Sequence, residues 1–139
     1  MPDHTMTIIG VPIAKKRPRF ANRKKKDGRK FIVGINDQET EEGRSYLDIR
    51  RQWTGPPLDC PVKLFILALF PVTKSSIKKV DAMLSGITKH TKKPDLDNLQ
   101  KFYMDVFNGL VWLDDSQVWR IEAGKGYARE PKTIIRVEW

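Results

Sequence analysis

Lys92-Lys-Pro-Asp-Leu-Asp-Asn-Leu-Gln-Lys-Phe-Tyr-Met-Asp-Val-Phe-Asn-Gly-Leu-Val-Trp-Leu-Asp-Asp-Ser-Gln-Val118 decides how this chain is read. Pro94 and the acids just after it mark the entrance of a helix. Leu99, Phe102, Tyr103, Val106, Phe107 and Leu110 then recur at i, i+3, i+4, i+7, i+8 and i+11, which makes one apolar stripe. Asp97, Lys101 and Asp105 recur every four residues on the opposite side. Asn108-Gly109 suits a helix C-terminus with a left-handed residue. Leu110 to Leu113 pack briefly before Asp114-Asp115. The stretch gathers five carboxylates, Asp95, Asp97, Asp105, Asp114 and Asp115, in a chain whose net charge is +9.

Outward from this stretch the sequence supplies a scaffold. Thr5 to Ile13 reads as a strand, with Gly10 and Pro12 marking an edge or bulge. Residues 15–30 carry ten Lys/Arg against one acid, Asp27, and Gly28 permits a turn. Like charges this dense repel, so a mobile loop or loose hairpin over about residues 14–31 is expected, either a solvated loop or, as the acidic cluster elsewhere favours, a phosphate-gripping arm. Asn36-Asp37 looks like a helix cap, with Glu39, Glu41 and Glu42 where the helix dipole favours anions. Tyr46, Ile49 and Trp53, with Leu47 beside them, place a core-facing helix over about residues 38–53, closed by Gly55-Pro56-Pro57. Val62 to Val72 is apolar on both faces, as expected of a central strand covered on each side, and Cys60 before it should be a buried, inert thiol. Residues 73–93 are again basic, with a short helix possible after Ser76, and His90 is expected at the surface. Gln117 to Tyr127 and Lys132 to Trp139 read as two terminal strands.

Bulk properties narrow the function classes. A chain of 139 residues fits one domain, residues 1–139, with a core of its own. No apolar run is long enough to span a membrane, and the N-terminus does not resemble a signal peptide. The lone Cys60 forms no intramolecular disulfide and no cysteine-based zinc site, which fits a reducing, cytoplasmic setting. The positive charge suits a phosphate backbone, bound in a salt-sensitive and largely sequence-independent way, and charge alone suits an anionic membrane surface or plain solubility as well.

The acids then need an explanation. Phosphodiester hydrolysis requires an activated water and stabilisation of charge on phosphorus, and Mg2+ or Mn2+ can provide both through oxygen ligands such as Asp. Asp95 and Asp97 stand at a helix entrance, and Asp114-Asp115 one helix length later. A helix of about 12 residues would hold the two groups some 18 Å apart. The strand after Val118 must therefore run back toward Asp95 if Asp115 is to face it. Simpler roles compete: Asp97 as an N-cap, Asp114-Asp115 as a turn or cap. Lys101 could hold the scissile phosphate, or merely pair with Asp97 or Asp105.

Lys93-Pro-Asp-Leu-Asp-Asn-Leu-Gln-Lys101, Asp105, Asn108-Gly109 and Asp114-Asp-Ser-Gln-Val118 resemble the RusA family of Holliday junction resolvases, the crossover junction endodeoxyribonucleases common in prophages. Gly10-Val-Pro12 and Lys16-Arg-Pro-Arg19 resemble an N-terminal portion of longer members. The specific match is confined to about residues 92–120.

The resemblance implies a small α+β fold, a mixed sheet packed with two main helices in the order β-α-β-α-β-β, working as a homodimer. It implies Mg2+- or Mn2+-dependent paired, symmetric nicking of four-way DNA junctions in recombination and repair. Carried over, Asp95, Asp97 and Asp115 bind metal and activate water, Lys101 supports the phosphate, and Asp114 is a further ligand or supports one. Lys15, Lys16, Arg17, Arg19, Lys92 and Lys93 are the expected DNA contacts. The basic loop at 15–30 and the lysines at 74–93 depart from the family pattern, so cleavage-site preference does not transfer. The alternatives are a nuclease for other branched or flap DNA or RNA, and a non-catalytic DNA-binding prophage protein whose acids only cap helices.

Overall fold

The computed structural model describes residues 1–16, 19–35 and 38–139. Arg17 and the cap expected at Asn36-Asp37 lie outside the described residues, as does the side chain of Arg19. The elements are β1 (Asp3–Ile9), β2 (Arg19–Lys24), β3 (Lys30–Ile35), α1 (Glu39–Gln52), β4 (Val62–Pro71), α2 (Ile77–Leu84), α3 (Leu96–Phe107), β5 (Val118–Ala128) and β6 (Lys132–Glu138). The fold is α+β as expected. β1, β6, β4 and β5 lie in that order in one mixed sheet, and β2 with β3 forms a separate antiparallel hairpin. The hairpin and the short α2 are additions to the β-α-β-α-β-β series.

The sheet is built by alternation. β4 buries Val62, Leu64, Ile66, Ala68 and Phe70 on one face. Register lines up Met6, Ile135, Ile66 and Ala123 across all four strands, so one apolar row crosses the whole sheet. Against it lie Ile49 and Trp53, and the α3 stripe of Leu99, Phe102, Tyr103, Val106 and Phe107, all in a single cluster. A buried side chain of this kind contributes roughly 1.5–3 kcal/mol. At the centre the Tyr103 hydroxyl bonds the Thr133 hydroxyl at 2.8 Å and accepts from the Ile13 N–H at 3.0 Å.

Several expectations are corrected. β4 is covered on one face only: the helices share a side, and Leu67 on the other remains 42% exposed. Of the α1 stripe, Ile49 and Trp53 are buried, but Tyr46 and Leu47 are exposed, because Ser45 rather than Tyr46 faces inward. Cys60 is half-buried. His90 is buried, stacked on Phe70 with ring centroids 4.4 Å apart and tilted on Tyr127 at 4.9 Å. Among the described residues no helix is long and apolar enough to cross a membrane.

Candidate functional site

The polar face of α3 is the floor of the site, and its entrance is built by Asp95. That residue holds the N-cap position with extended backbone (φ −69°, ψ 145°), yet its side chain makes no capping bond. The carboxylate is exposed, with Lys93 Nζ 3.5 Å from Oδ1. Asp97 comes next in the first turn, also exposed, where the helix dipole favours a negative charge. Lys101 stands one turn on, exposed and without an ion-pair partner among the described residues. Asp105, a further turn along, pairs with Lys15 instead.

Lys15 arrives from the other end of the chain. Its backbone N–H donates to the Asn98 carbonyl at 2.8 Å, laying residues 13–16 along α3. Its ammonium reaches Glu42 Oε1 at 2.7 Å and Asp105 Oδ2 at 3.1 Å, joining α1 to α3. Burial lowers its pKa, but hydrogen bonds to Glu42 and Asp105 and their charges outweigh burial and leave it raised. Gln38 fixes the same segment, accepting from Lys16 N–H at 2.7 Å and donating to the Ala14 carbonyl at 2.6 Å. Lys16 itself stays exposed, with Glu41 at 4.0 Å.

Beyond α3, Gly109 takes the left-handed conformation (φ 80°) that the Asn108-Gly109 pair predicts. The chain then turns through Trp112, wholly buried, whose indole N–H donates to Asp115 Oδ1 at 2.8 Å. Asp114 and Asp115 have opposite fates. Asp114 caps the 3₁₀ turn Asp115–Gln117, its carboxylate accepting from the Ser116 N–H and hydroxyl while its own N–H donates to Gln117. Those bonds from Ser116 hold its pKa below the usual carboxylate range. Asp115 is half-buried, and burial, then the charges of Asp105 and Asp114, raise its pKa despite the Trp112 bond.

β5 passes beside the start of α3 only near its far end, seven residues beyond Val118. Asp115, just before the strand, therefore lies away from Asp95 and does not face it as expected. The residue that arrives at the 92–94 segment is Lys125, whose ammonium donates to the Lys92 and Pro94 carbonyls at 2.8 and 2.9 Å. Lys92 and Lys93 are exposed. The acids thus form a string: Asp95 and Asp97 at the entrance of α3, Asp105 about 12 Å further along its axis, and Asp115 within electrostatic reach of Asp105. Among the described residues no three His, Cys, Asp or Glu side chains gather into a metal-binding group. The donor chemistry nevertheless suits a hard divalent cation. The donors are carboxylate oxygens, Asp95 makes no capping bond, and burial with neighbouring acids makes Asp115 reluctant to ionise.

Sequence reasoning missed Lys125, Gln38 and Glu42 as parts of this frame. Glu42 and Asp105 were visible as charges, but nothing local says that both wait for Lys15.

Two comparisons bear on this arrangement. A family model described as "Endodeoxyribonuclease RusA" matches residues 10–138. The "Uncharacterized protein YqaN" of Bacillus subtilis (strain 168) is 30% identical over 137 residues, covering 94% of this chain and 92% of that protein. The chain belongs to the RusA endodeoxyribonuclease family.

Proposed function

We propose, from that family membership and the uncapped Asp95, that the chain is a divalent-metal endodeoxyribonuclease that resolves four-way DNA junctions by paired symmetric nicks inside the cell. The observation that carries the reading is the Asp95 carboxylate. It stands where a capping side chain would be worth about 1 kcal/mol, makes no capping bond, and lies under two turns of helix from Lys101, which has no ion-pair partner among the described residues.

Asp95 and Asp97 would hold Mg2+ or Mn2+ at the entrance of α3. Asp115, near Asp105 toward the other end of that helix, is the third proposed ligand and within one chain would hold an ion of its own. Bound there, the ion supplies an activated water and a positive charge against the phosphate. Lys101 holds the scissile phosphate and offsets its developing charge. Asp114 has the weaker claim as a ligand, since its oxygens are engaged in the turn. Lys16, Lys92 and Lys93, with Arg17 and Arg19, grip the backbone, whereas Lys15 contributes mainly by fastening the arm to α1 and α3.

The enzyme works as a homodimer, because a four-way junction is two-fold symmetric and two matched cuts need two matched sites. The outer sheet face supports a second copy there. Phe65, Leu67, Leu69 and Ile134 line it, and its charges nearly cancel: Lys63, Arg120 and Arg136 against Glu122 and Glu138.

The test is Asp95→Asn on synthetic four-way junctions, flaps and linear duplex with Mg2+ or Mn2+. Cleavage of the junction should fall by about a hundredfold or more, with junction binding kept or tightened, since a negative charge beside phosphate has gone. Normal cutting by the variant overturns the assignment. Binding without metal-dependent cleavage by the native protein favours the non-catalytic alternative. Titrating Mn2+ into Asp95→Asn and Asp115→Asn separates a shared ion, where both variants lose it, from two independent ones.

A further inference from the structure

Lysines of a strongly basic chain are ordinarily spent on phosphate, but Lys125 is aimed inward. It lies on β5 opposite Ala68, on the face of the sheet that carries the core. Two of its three ammonium donors go to backbone carbonyls of one short segment, Lys92 at 2.8 Å and Pro94 at 2.9 Å. The second carbonyl belongs to the residue directly before Asp95. The same segment is anchored one step earlier by His90, wedged between Phe70 and Tyr127, and Tyr127 is two residues from Lys125 on the same face of β5. Residues 90–94 are thus held twice by β4 and β5, and each hold orients the entrance of α3. Among the described residues Asp95 itself receives nothing from the sheet: its carboxylate meets only exposed Lys93 and makes no capping bond to its helix. Its position depends on the backbone that delivers it.

We infer that Lys125 is a positioning residue, which sets the place of Asp95 by tying the Lys92 and Pro94 carbonyls to β5 and does not itself touch DNA. The inference rests on the reading of Asp95 as a metal ligand, and it deepens that reading by explaining how an exposed, uncapped carboxylate is held. A charged donor suits the task, because its hydrogen bonds are the stronger kind. A displacement of about 1 Å at a reacting group can cost on the order of a hundredfold in rate.

The experiment compares Lys125→Met, which keeps the stem and removes the donors, with Lys125→Arg, which restores donors. Limited trypsin digestion of the metal-free protein reads the tether directly, because trypsin cuts after Lys92 while Pro94 protects the bond after Lys93. Lys125→Met should speed cleavage after Lys92 by about tenfold, relative to cleavage in the β2–β3 hairpin, and Lys125→Arg should reverse most of this. On four-way junctions with Mg2+, kcat should fall about ten- to a hundredfold in Lys125→Met with KM little changed, and Lys125→Arg should recover much of it. A phosphate-gripping role predicts the opposite pattern. Junction binding would then weaken, its salt slope would drop by about one, and trypsin would cut as before. That result overturns the inference, as does a lowered Tm with both ratios unmoved. Asp95→Asn, assayed in parallel, keeps the two claims apart. If it cuts normally, the reading of Asp95 fails, while the trypsin arm still judges the tether.

Discussion

Asp115 illustrates how one side chain can be strained by its neighbours until something else arrives. Burial and the charges of Asp105 and Asp114 raise its pKa. An acid with a raised folded pKa ionises at the fold's expense. Stability contributed by the protonated form is present at low pH, is lost as pH rises from the unfolded value of about 3.9, and stays lost above the folded value. Asp115→Asn, whose amide oxygen can still accept from Trp112, should therefore have the higher Tm at pH 7 without divalent ions. The gain should vanish below about pH 4. Mg2+ or Mn2+ should raise the Tm of the native chain and leave the variant nearly unmoved; thermal unfolding across pH, with and without the ions, checks both. His90 has the opposite sign. Burial and the charges of Lys125 and Lys92 lower its pKa, and its buried Nδ1 finds no hydrogen-bond partner among the described residues. Its neutral form supports the fold above about pH 6.5 and that support is lost as pH falls below. His90→Phe should flatten this acid-side decline in Tm. Neither effect was legible from residue type alone. His90 sits in a lysine-rich stretch that reads as surface, and only the long-range stack of Phe70 and Tyr127 buries it.

Elements were far more legible than their neighbours. The stripe from Leu99 to Leu110 located α3, and β4, β5, β6 and α1 all fall within a few residues of their expected bounds, because period and breakers are local properties. What the sequence could not show is which face each element turns to another. β4 is apolar on both sides, so its alternation could not reveal that the helices share one. The basic stretch takes the hairpin of the two expected forms, turned at Gly28 (φ 86°) as expected, with Lys25 donating to Arg29 and accepting from Gly28 across the turn. Its lysines divide by partner. Lys15, bound to Glu42 and Asp105, is a fastening. Lys15→Met should leave those acids facing each other and lower stability by roughly 1 kcal/mol, given its partial exposure, with a modest loss in junction binding. Neutralising Lys24, Lys25 and Lys26 at the exposed hairpin turn should do the reverse. Tm should hold, affinity should weaken across all DNA shapes, and the salt slope should fall by up to about 0.9 for each phosphate no longer neutralised. Binding measured over a salt series, beside thermal unfolding, separates the two classes of lysine.

At the scale of the whole molecule the proposed dimer poses the question of how two chains of net charge +9 would come together on one junction without repelling. The outer sheet face offers a place. Lys63 and Arg136 fold over the Phe65 ring at 4.5 and 4.3 Å and are tied to Glu122 and Glu138, so the charges around the apolar centre are already matched. Gly124 and Gly126 leave the β5 side shallow, and a depression of about 440 Å³ lies between Thr5, Phe65, Leu67, Glu122, Gly124 and Arg136. Side chains of Leu67 size from a second copy could enter it, and α3, packed on the opposite face of the sheet, would stay free for DNA. Leu67→Glu adds a charge to the apolar centre at a position 42% exposed in the single chain, so the fold should tolerate it. Sedimentation should show the native chain as a dimer and Leu67→Glu as a monomer with nearly unchanged Tm. On a four-way junction in a supercoiled plasmid, the native enzyme should release linear DNA by two cuts within one encounter. The variant should accumulate nicked circles, because its second cut waits for an independent binding event. A Leu67→Glu protein that remains dimeric and linearises the plasmid as fast as the native one would remove the sheet face from the dimer and send the search for the second copy elsewhere on the surface.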